Sequence, residues 1–321
     1  MGVKISNFFI AVSEFIYIRI FRNPIQWIIQ VFDLIDFVAN ILNNIFQILF
    51  GGRPFYWGLM YNPLVSPNRR LIVLANGPSL NEDLERLTKE DISNIDFAMM
   101  NFSANSPLFQ KYKPKYYCLA DPAFFTGGCD EENVRKIYKT LNDLVDWDLT
   151  LIVSYNVKHV KKYSDITNPH IKFQRVFSMR HNGHMNLMHW FYKMGLAIPG
   201  LGTVTNMAAY AGIQYGYKQI EFCGNDMSLL DGLCVNDDNY TCVELKHFYD
   251  DNVELKPMMI SDTQYHTLYS YVIMISAMVL SHNNIAEYGK YMGVGFINRT
   301  RKSMLDCYPR LIKIHPEEFE N

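Results

Sequence analysis

Four short polar strings in this chain carry the residue types that bind and transform ligands. The first is Ala75-Asn76-Gly77-Pro78-Ser79-Leu80-Asn81-Glu82, directly after the apolar run Leu71-Ile72-Val73-Leu74. Gly77 permits a tight turn close to a ligand and Pro78 fixes the entry to a helix. Ser79 and Glu82 have the spacing of a capping box, so a helix is expected to start there. A strand, a glycine turn and a set of exposed backbone amides can receive an anion, although an ordinary strand-to-helix turn reads the same way. The string is neither a Walker loop nor GxGxxG, so ATP and NAD have no positive support. The second string opens at Asn101-Phe102-Ser103. The third is Ala120-Asp121-Pro122, where Asp121 can accept from hydroxyls or an amino group, or merely start a turn.

The fourth string is Pro199-Gly200-Leu201-Gly202-Thr203-Val204-Thr205-Asn206, which leads into a segment rich in Ala and Gly. Its start is a second candidate phosphate or carboxylate site, at the amino end of a helix. Asn225-Asp226 then follows the apolar run ending at Cys223-Gly224. Nine histidines supply candidates for proton transfer near neutral pH. His181 and His184, with His189 nearby, have metal-like spacing but no carboxylate behind them, and no metal site is expected.

These strings require a scaffold that brings them to one edge. Short apolar runs at 71–74, 96–100, 116–120, 149–154, 220–224 and 294–297 read as buried strands. Helix-period segments lie near 80–90, 131–145, 204–215 and 262–283. Continuous apolar strands separated by helices predict a Rossmann-like α/β domain: a mostly parallel sheet with helices on both faces. Such sheets bind ligands beyond the carboxyl ends of their strands, where the polar strings sit. The expected organisation is an amphipathic segment over 1–52, a linker over 53–67 and a catalytic domain over 68–321.

Residues 1–52 carry only six charged side chains and are crowded with Phe, Ile, Leu and Trp. The longest uncharged run, Phe37 to Gly52, is too short and too rich in Asn to span a bilayer. Gln26, Gln30, Asp33 and Asp36 recur at helical spacing and leave a wide apolar face. The segment is therefore expected to lie in a membrane interface, with Arg19, Arg22 and Arg53 near headgroups; packing against its own domain or a partner is the alternative. A formal net charge of −2 argues against a protein built around a nucleic-acid backbone. Six cysteines without a CxxC pair, and no signal-peptide pattern, lead to the expectation of a cytoplasmic protein, peripheral on the inner face of the cell membrane.

Leu74 to Leu80, the Asp121-Pro122 turn, and Gly202-Thr203-Val204 through Gly216-Tyr217-Lys218 to Gly224-Asn225-Asp226 resemble one family group. They are similar to the bacterial sialyltransferases of glycosyltransferase family 42. They are also similar to the related motility-associated-factor proteins, which glycosylate flagellin with nonulosonic acids. The resemblance covers about residues 70–310, and an MptE-like pterin pyrophosphokinase family shares the framework.

The resemblance implies an inverting transfer of a sialic-acid- or Kdo-like sugar from a CMP donor to an oligosaccharide or lipid-linked glycan, without a metal or other cofactor. It places Asn76 and Ser79, with Gly77, near the donor phosphate or ribose, and Asn101 and Asp121 near sugar or cytidine. Thr203 and Val204, after Gly202, offer amides to the donor carboxylate, and Asn225 and Asp226 tip the next strand. It points to His266 or His247 as the base. The family's phosphate-assisting Arg and Tyr are missing: Leu201 and Gly202 precede Thr203, and Ser228 stands two residues after Asp226. Arg180, Tyr240 and Lys246 are the substitutes within reach of the pattern. An ATP-dependent pterin pyrophosphokinase and a non-catalytic scaffold of a glycan-assembly complex are the competing readings, and a homo-oligomer is compatible with each.

Overall fold

The computed structural model describes residues 24–50, 58–121, 123–126, 131–154, 166–176, 185–245, 248, 254–261 and 264–310. The chain divides into two compact units, one comprising Met1–Tyr56 and Arg180–Trp190, the other Trp57–Met179 and Phe191–Asn321.

In the first unit, helix α1 (Pro24–Phe50) is the long element. Ile28, Phe32, Ile35, Leu42 and Phe46 fall at helical spacing on one stripe, and each is exposed. No helix among the described residues is long and apolar enough to cross a membrane. Arg19, Arg22 and Arg53 lie outside the described residues.

The second unit is built on seven parallel strands. They are β1 (Arg70–Leu74), β2 (Ile95–Met100), β3 (Tyr116–Leu119), β4 (Leu149–Ser154), β5 (Ile171–Val176), β6 (Gln219–Cys223) and β12 (Gly295–Asn298), in the spatial order β12-β6-β1-β2-β3-β4-β5. Leu71, Ile72, Val73 and Leu74 are wholly buried, as a strand covered on both faces must be. One layer comprises α2 (Leu80–Leu87), α3 (Pro107–Tyr112), α4 (Ala123–Thr126) and α5 (Glu131–Asp143). Its Leu84, Phe109, Phe125 and Ile137 join a core with Ile72, Met99, Tyr117 and Leu151 from the sheet. Helix α6 (Met185–Lys193) has Met185 to Trp190 in the first unit; α7 (Val204–Tyr215) belongs to the second, and every residue from Thr205 to Tyr215 is buried. Ala208, Ala209, Ala211 and Gly212 let that helix lie close to the strands.

The chain builds outward from β1 through β2 to β5, then returns to place β6 on the other side of β1. The sheet's order therefore reverses between β1 and β6, and the crevice of a doubly wound sheet opens at such a reversal. Two small antiparallel sheets lie beyond β6: β7 (Cys234–Val235) with β8 (Thr241–Leu245) and β9 (Glu254–Pro257), and β10 (Met259–Ser261) with β11 (Gln264–Tyr265). Val243 of β8 packs with Tyr271 and Ile275 of α8 (Leu268–Tyr291), among Met227, Met258, Met274 and Met278.

Two expectations change here. The last helix begins at Leu268, because the Thr267 hydroxyl caps it by accepting from Ser270 N–H at 3.2 Å. His266 thus lies before the helix rather than a turn inside it; its N–H donates to the Met258 carbonyl at 2.8 Å. Ser79 stands at the start of α2 but forms no side-chain cap, since its hydroxyl is drawn to the buried Asp226 carboxylate.

The sheet also holds a charge network. Glu221 is fully buried mid-strand and is paired with Arg299 and, at 2.9 Å, with Arg70; Arg299 reaches on to Glu90 at 2.7 Å. Removing one partner of such a group leaves a buried charge poorly compensated. Arg299→Met should therefore cost about 3 kcal/mol in urea unfolding, whereas a surface pair such as Lys113–Asp146 should cost under about 1 kcal/mol.

Candidate functional site

The crevice between the tips of β1 and β6 holds a cavity of about 320 Å³. It is lined by Ala75, Asn76 and Gly77 after β1, Met100 and Asn101 at the end of β2, Gly202 to Thr205 at the start of α7, Gly224 to Leu229 after β6, and Met278 of α8. Five stretches of the chain thus converge at one edge of the parallel sheet.

Each segment is held in place by backbone geometry. The Ala75 N–H donates to the Cys223 carbonyl and the Gly77 N–H to the Gly224 carbonyl, both at 2.9 Å, which ties the two strand tips together. A Cβ at Gly77 would collide with the Asp226 carboxylate and the Gly224 carbonyl. Only glycine allows that approach. Gly202 is constrained in the same way by Ser281 and the Met278 backbone of α8. Asn206 of α7 donates to the Ser281 hydroxyl at 2.6 Å, locking the two helices at that crossing.

The Asn225 turn is pinned from below. The buried Asp83 carboxylate accepts from Gly224 N–H and from the Thr300 hydroxyl, both at 2.7 Å, and Thr300 in turn accepts from Asn225 N–H at 3.0 Å. Asn101 has φ of 51°, a left-handed conformation that Asn tolerates better than most side chains. Its carbonyl is held by the Tyr117 hydroxyl, and the Ser103 hydroxyl accepts the Met100 N–H at 3.1 Å.

The cavity's chemistry lies in unpartnered amides. Asn76 Oδ1, Asn101 Oδ1 and Asn225 Nδ2 are buried and have no hydrogen-bond partner. A buried polar atom left unpaired costs about 1–3 kcal/mol, so three around one cavity are open hydrogen-bond positions that a ligand or a water can fill. Two acceptors and one donor suit ligand hydroxyls or an amino group, together with a carbonyl or phosphate oxygen. Thr203 begins α7 without a side-chain cap, which leaves the helix's first amides facing the cavity.

Asp226 is the one titratable side chain among the described lining residues, which include no Lys, Arg or His. Burial pushes its carboxyl above the ordinary value, against the pull of the Ser79 hydroxyl and N–H, and the neighbouring Asp83 adds to the rise.

The sequence-derived candidates separate clearly. Asn76, Gly77, Asn101, Gly202, Thr203, Val204, Asn225 and Asp226 line the cavity, and Ser79 stands behind it on Asp226. Asp121 follows β3 as an exposed residue outside the described lining. His266 is also outside it, its Nδ1 3.0 Å from the Ser270 hydroxyl. His247, Arg180, Lys246, His181 and His184 lie outside the described residues, and Tyr240 packs against Tyr265 with ring centroids 4.2 Å apart and planes tilted by 36°. No group of three or more metal-binding side chains occurs among the described residues. Thr205 and Met278 were not singled out by sequence reasoning. Thr205, within the Gly202–Asn206 string, was legible; Met278 sits in an apolar helix and gave no signal.

No family model matches this chain, and no curated protein matches it. Among solved structures, it is similar to the MAf glycosyltransferase from Magnetospirillum magneticum AMB-1, with 13% sequence identity and a TM-score of 0.47 over 79% of this chain. The chain spans about a third of that protein, 35% of its length.

Two outcomes test the geometry. Gly77→Ala should destabilise the fold by about 1–3 kcal/mol, the usual cost of overpacking, as read by urea unfolding. The folded Asp226 carboxyl holds its proton more tightly than the unfolded one. Its contribution to stability is therefore complete below the ordinary Asp range and is lost as pH climbs through the folded value. Asp226→Asn should accordingly gain stability over the native chain as unfolding is measured from pH 4 to pH 8, and a constant difference would contradict the assignment.

Proposed function

We propose that this chain is a glycosyltransferase that moves an acidic sugar, sialic-acid- or Kdo-like, from a CMP donor to a glycan acceptor with inversion. The observation that carries the reading is the cavity at the β1/β6 reversal, where three unpartnered asparagine amide atoms surround the uncapped start of α7. Asn76 Oδ1 and Asn101 Oδ1 accept from ribose or sugar hydroxyls or the cytosine amino group. The Thr203 and Val204 amides receive the sugar carboxylate. The resemblance of the Asn76-to-Leu80 and Gly202-to-Asp226 strings to CMP-sugar transferases supports CMP as the nucleotide.

Transfer breaks the bond from the anomeric carbon to the phosphate while the acceptor hydroxyl attacks that carbon and loses its proton. His266 is assigned to take the proton, with His247 as the second candidate. The substrates are a nucleotide sugar and an oligosaccharide or lipid-linked glycan, with no metal required. The exposed stripe of Ile28, Phe32, Ile35, Leu42 and Phe46 brings α1 to a membrane surface, which places the enzyme beside a lipid-linked acceptor.

A thermal-shift comparison of CMP, UDP, GDP and ATP tests the nucleotide. CMP should raise the melting temperature and the others should not; a shift with ATP and Mg²⁺ alone would favour pyrophosphoryl transfer to a pterin instead. CMP release from a panel of CMP-sugars tests the reaction, and no release from any donor would leave a scaffold role. His266→Asn should lower turnover by about 10²- to 10⁴-fold with CMP affinity retained. Replacing Phe32, Ile35 and Leu42 together by Asp should abolish co-sedimentation with phospholipid vesicles.

A further inference from the structure

Thr203 occupies the position at which a threonine hydroxyl ordinarily caps a helix, yet this hydroxyl turns elsewhere. It lies 2.6 Å from Thr205 Oγ1 and 3.0 Å from His282 Nε2. The other imidazole nitrogen, Nδ1, lies 3.0 Å from the Tyr308 hydroxyl, which is also 3.3 Å from the His282 carbonyl. His282 and Tyr308 are 0% and 2% exposed and stand outside the described lining; Thr203 and Thr205 are within it. Burial pushes the imidazole down to about 3, so the ring is neutral, with one nitrogen donating and the other accepting.

A neutral ring allows two directions along this chain. In one, His282 Nδ1–H donates to Tyr308, Tyr308 donates to the His282 carbonyl, and Nε2 accepts from Thr203. Thr203 then accepts from Thr205, whose hydrogen is spent internally. In the other, Tyr308 donates to Nδ1, Nε2–H donates to Thr203, and Thr203 donates to Thr205. Thr205 is then free to donate into the cavity. An anion beside Thr205 selects the second direction, because only there does it find a hydrogen.

Independent support for a ligand at this place comes from Asn225, 5% exposed, which lines the same cavity with an unpartnered Nδ2. We propose that Tyr308, His282, Thr203 and Thr205 form a hydrogen-bond relay whose terminal Thr205 hydroxyl donates to the phosphate of the nucleotide, in place of a cationic side chain. This inference rests on the nucleotide reading above. Thr205 is the binding residue; His282 and Tyr308 are positioning residues that act through it.

The test is titration of CMP and of cytidine, which lacks the phosphate, against the full chain and two variants. The native chain should bind CMP more tightly than cytidine. Thr205→Val should weaken CMP about tenfold, the loss of one hydrogen bond to a charged group, and leave cytidine unchanged. Tyr308→Phe should reduce the same CMP-to-cytidine ratio from outside the cavity, because Nδ1 loses the donor that sets the ring's tautomer. Unchanged cytidine binding by a variant shows that it has folded. Equal weakening of both ligands, or an unmoved ratio in both variants, overturns the relay while leaving the nucleotide reading intact. Failure of the native chain to bind CMP overturns the nucleotide reading itself, and the relay with it.

Discussion

The buried carboxylate of Asp83 is the constraint on which the site depends. One side chain from the first helix after β1 takes the amide of Gly224 and the hydroxyl of Thr300, which together hold the turn after β6. That turn accepts the Gly77 amide and carries Asp226 against the Gly77 Cα, so the tips of β1 and β6 cannot separate without breaking every one of these contacts. A carboxyl so deeply placed is costly, and burial raises it above its ordinary value. That one carboxylate joins the second helix to the turn after the sixth strand and to the segment after the last strand.

Glycine does the complementary work. At Gly77 and Gly202 the neighbours are a carboxylate, a carbonyl and the backbone of α8, none of which can move aside. The cavity is therefore shaped by main chain more than by side chains, and its polar atoms are amides whose positions follow from the sheet.

Much of this was legible in the sequence. The apolar runs at 71–74, 96–100 and 149–154 could only be covered strands, and the polar strings behind them had to meet at one edge. The edge strand β5 was not legible: Lys172, Gln174 and Arg175 interrupt its apolar pattern because an edge needs fewer buried side chains and tolerates charge. The short strands β7 to β11 carried no pattern of their own, being two to five residues long. Local spacing also misassigned the Ser79 hydroxyl, since a capping box is a contact within a few residues, whereas Asp226 arrives from 147 residues away. His282 was one of nine histidines and nothing near it in sequence set it apart; its partners Thr203 and Tyr308 lie 79 and 26 residues distant. Part of the chain's apolar content lies on the exposed stripe of α1.

A lining of amides, hydroxyls, one helix end and the buried Asp226 carboxyl, with no Lys, Arg or His among its described residues, has a consequence for how ligands arrive. The field of a dipole fades with distance faster than that of a full charge, so such a site exerts little pull across solvent. Encounter is left to diffusion, and selection happens in the last few ångströms, where direction matters more than charge. A ligand held in this way leaves without having to part from a cationic side chain, and added salt has little to screen.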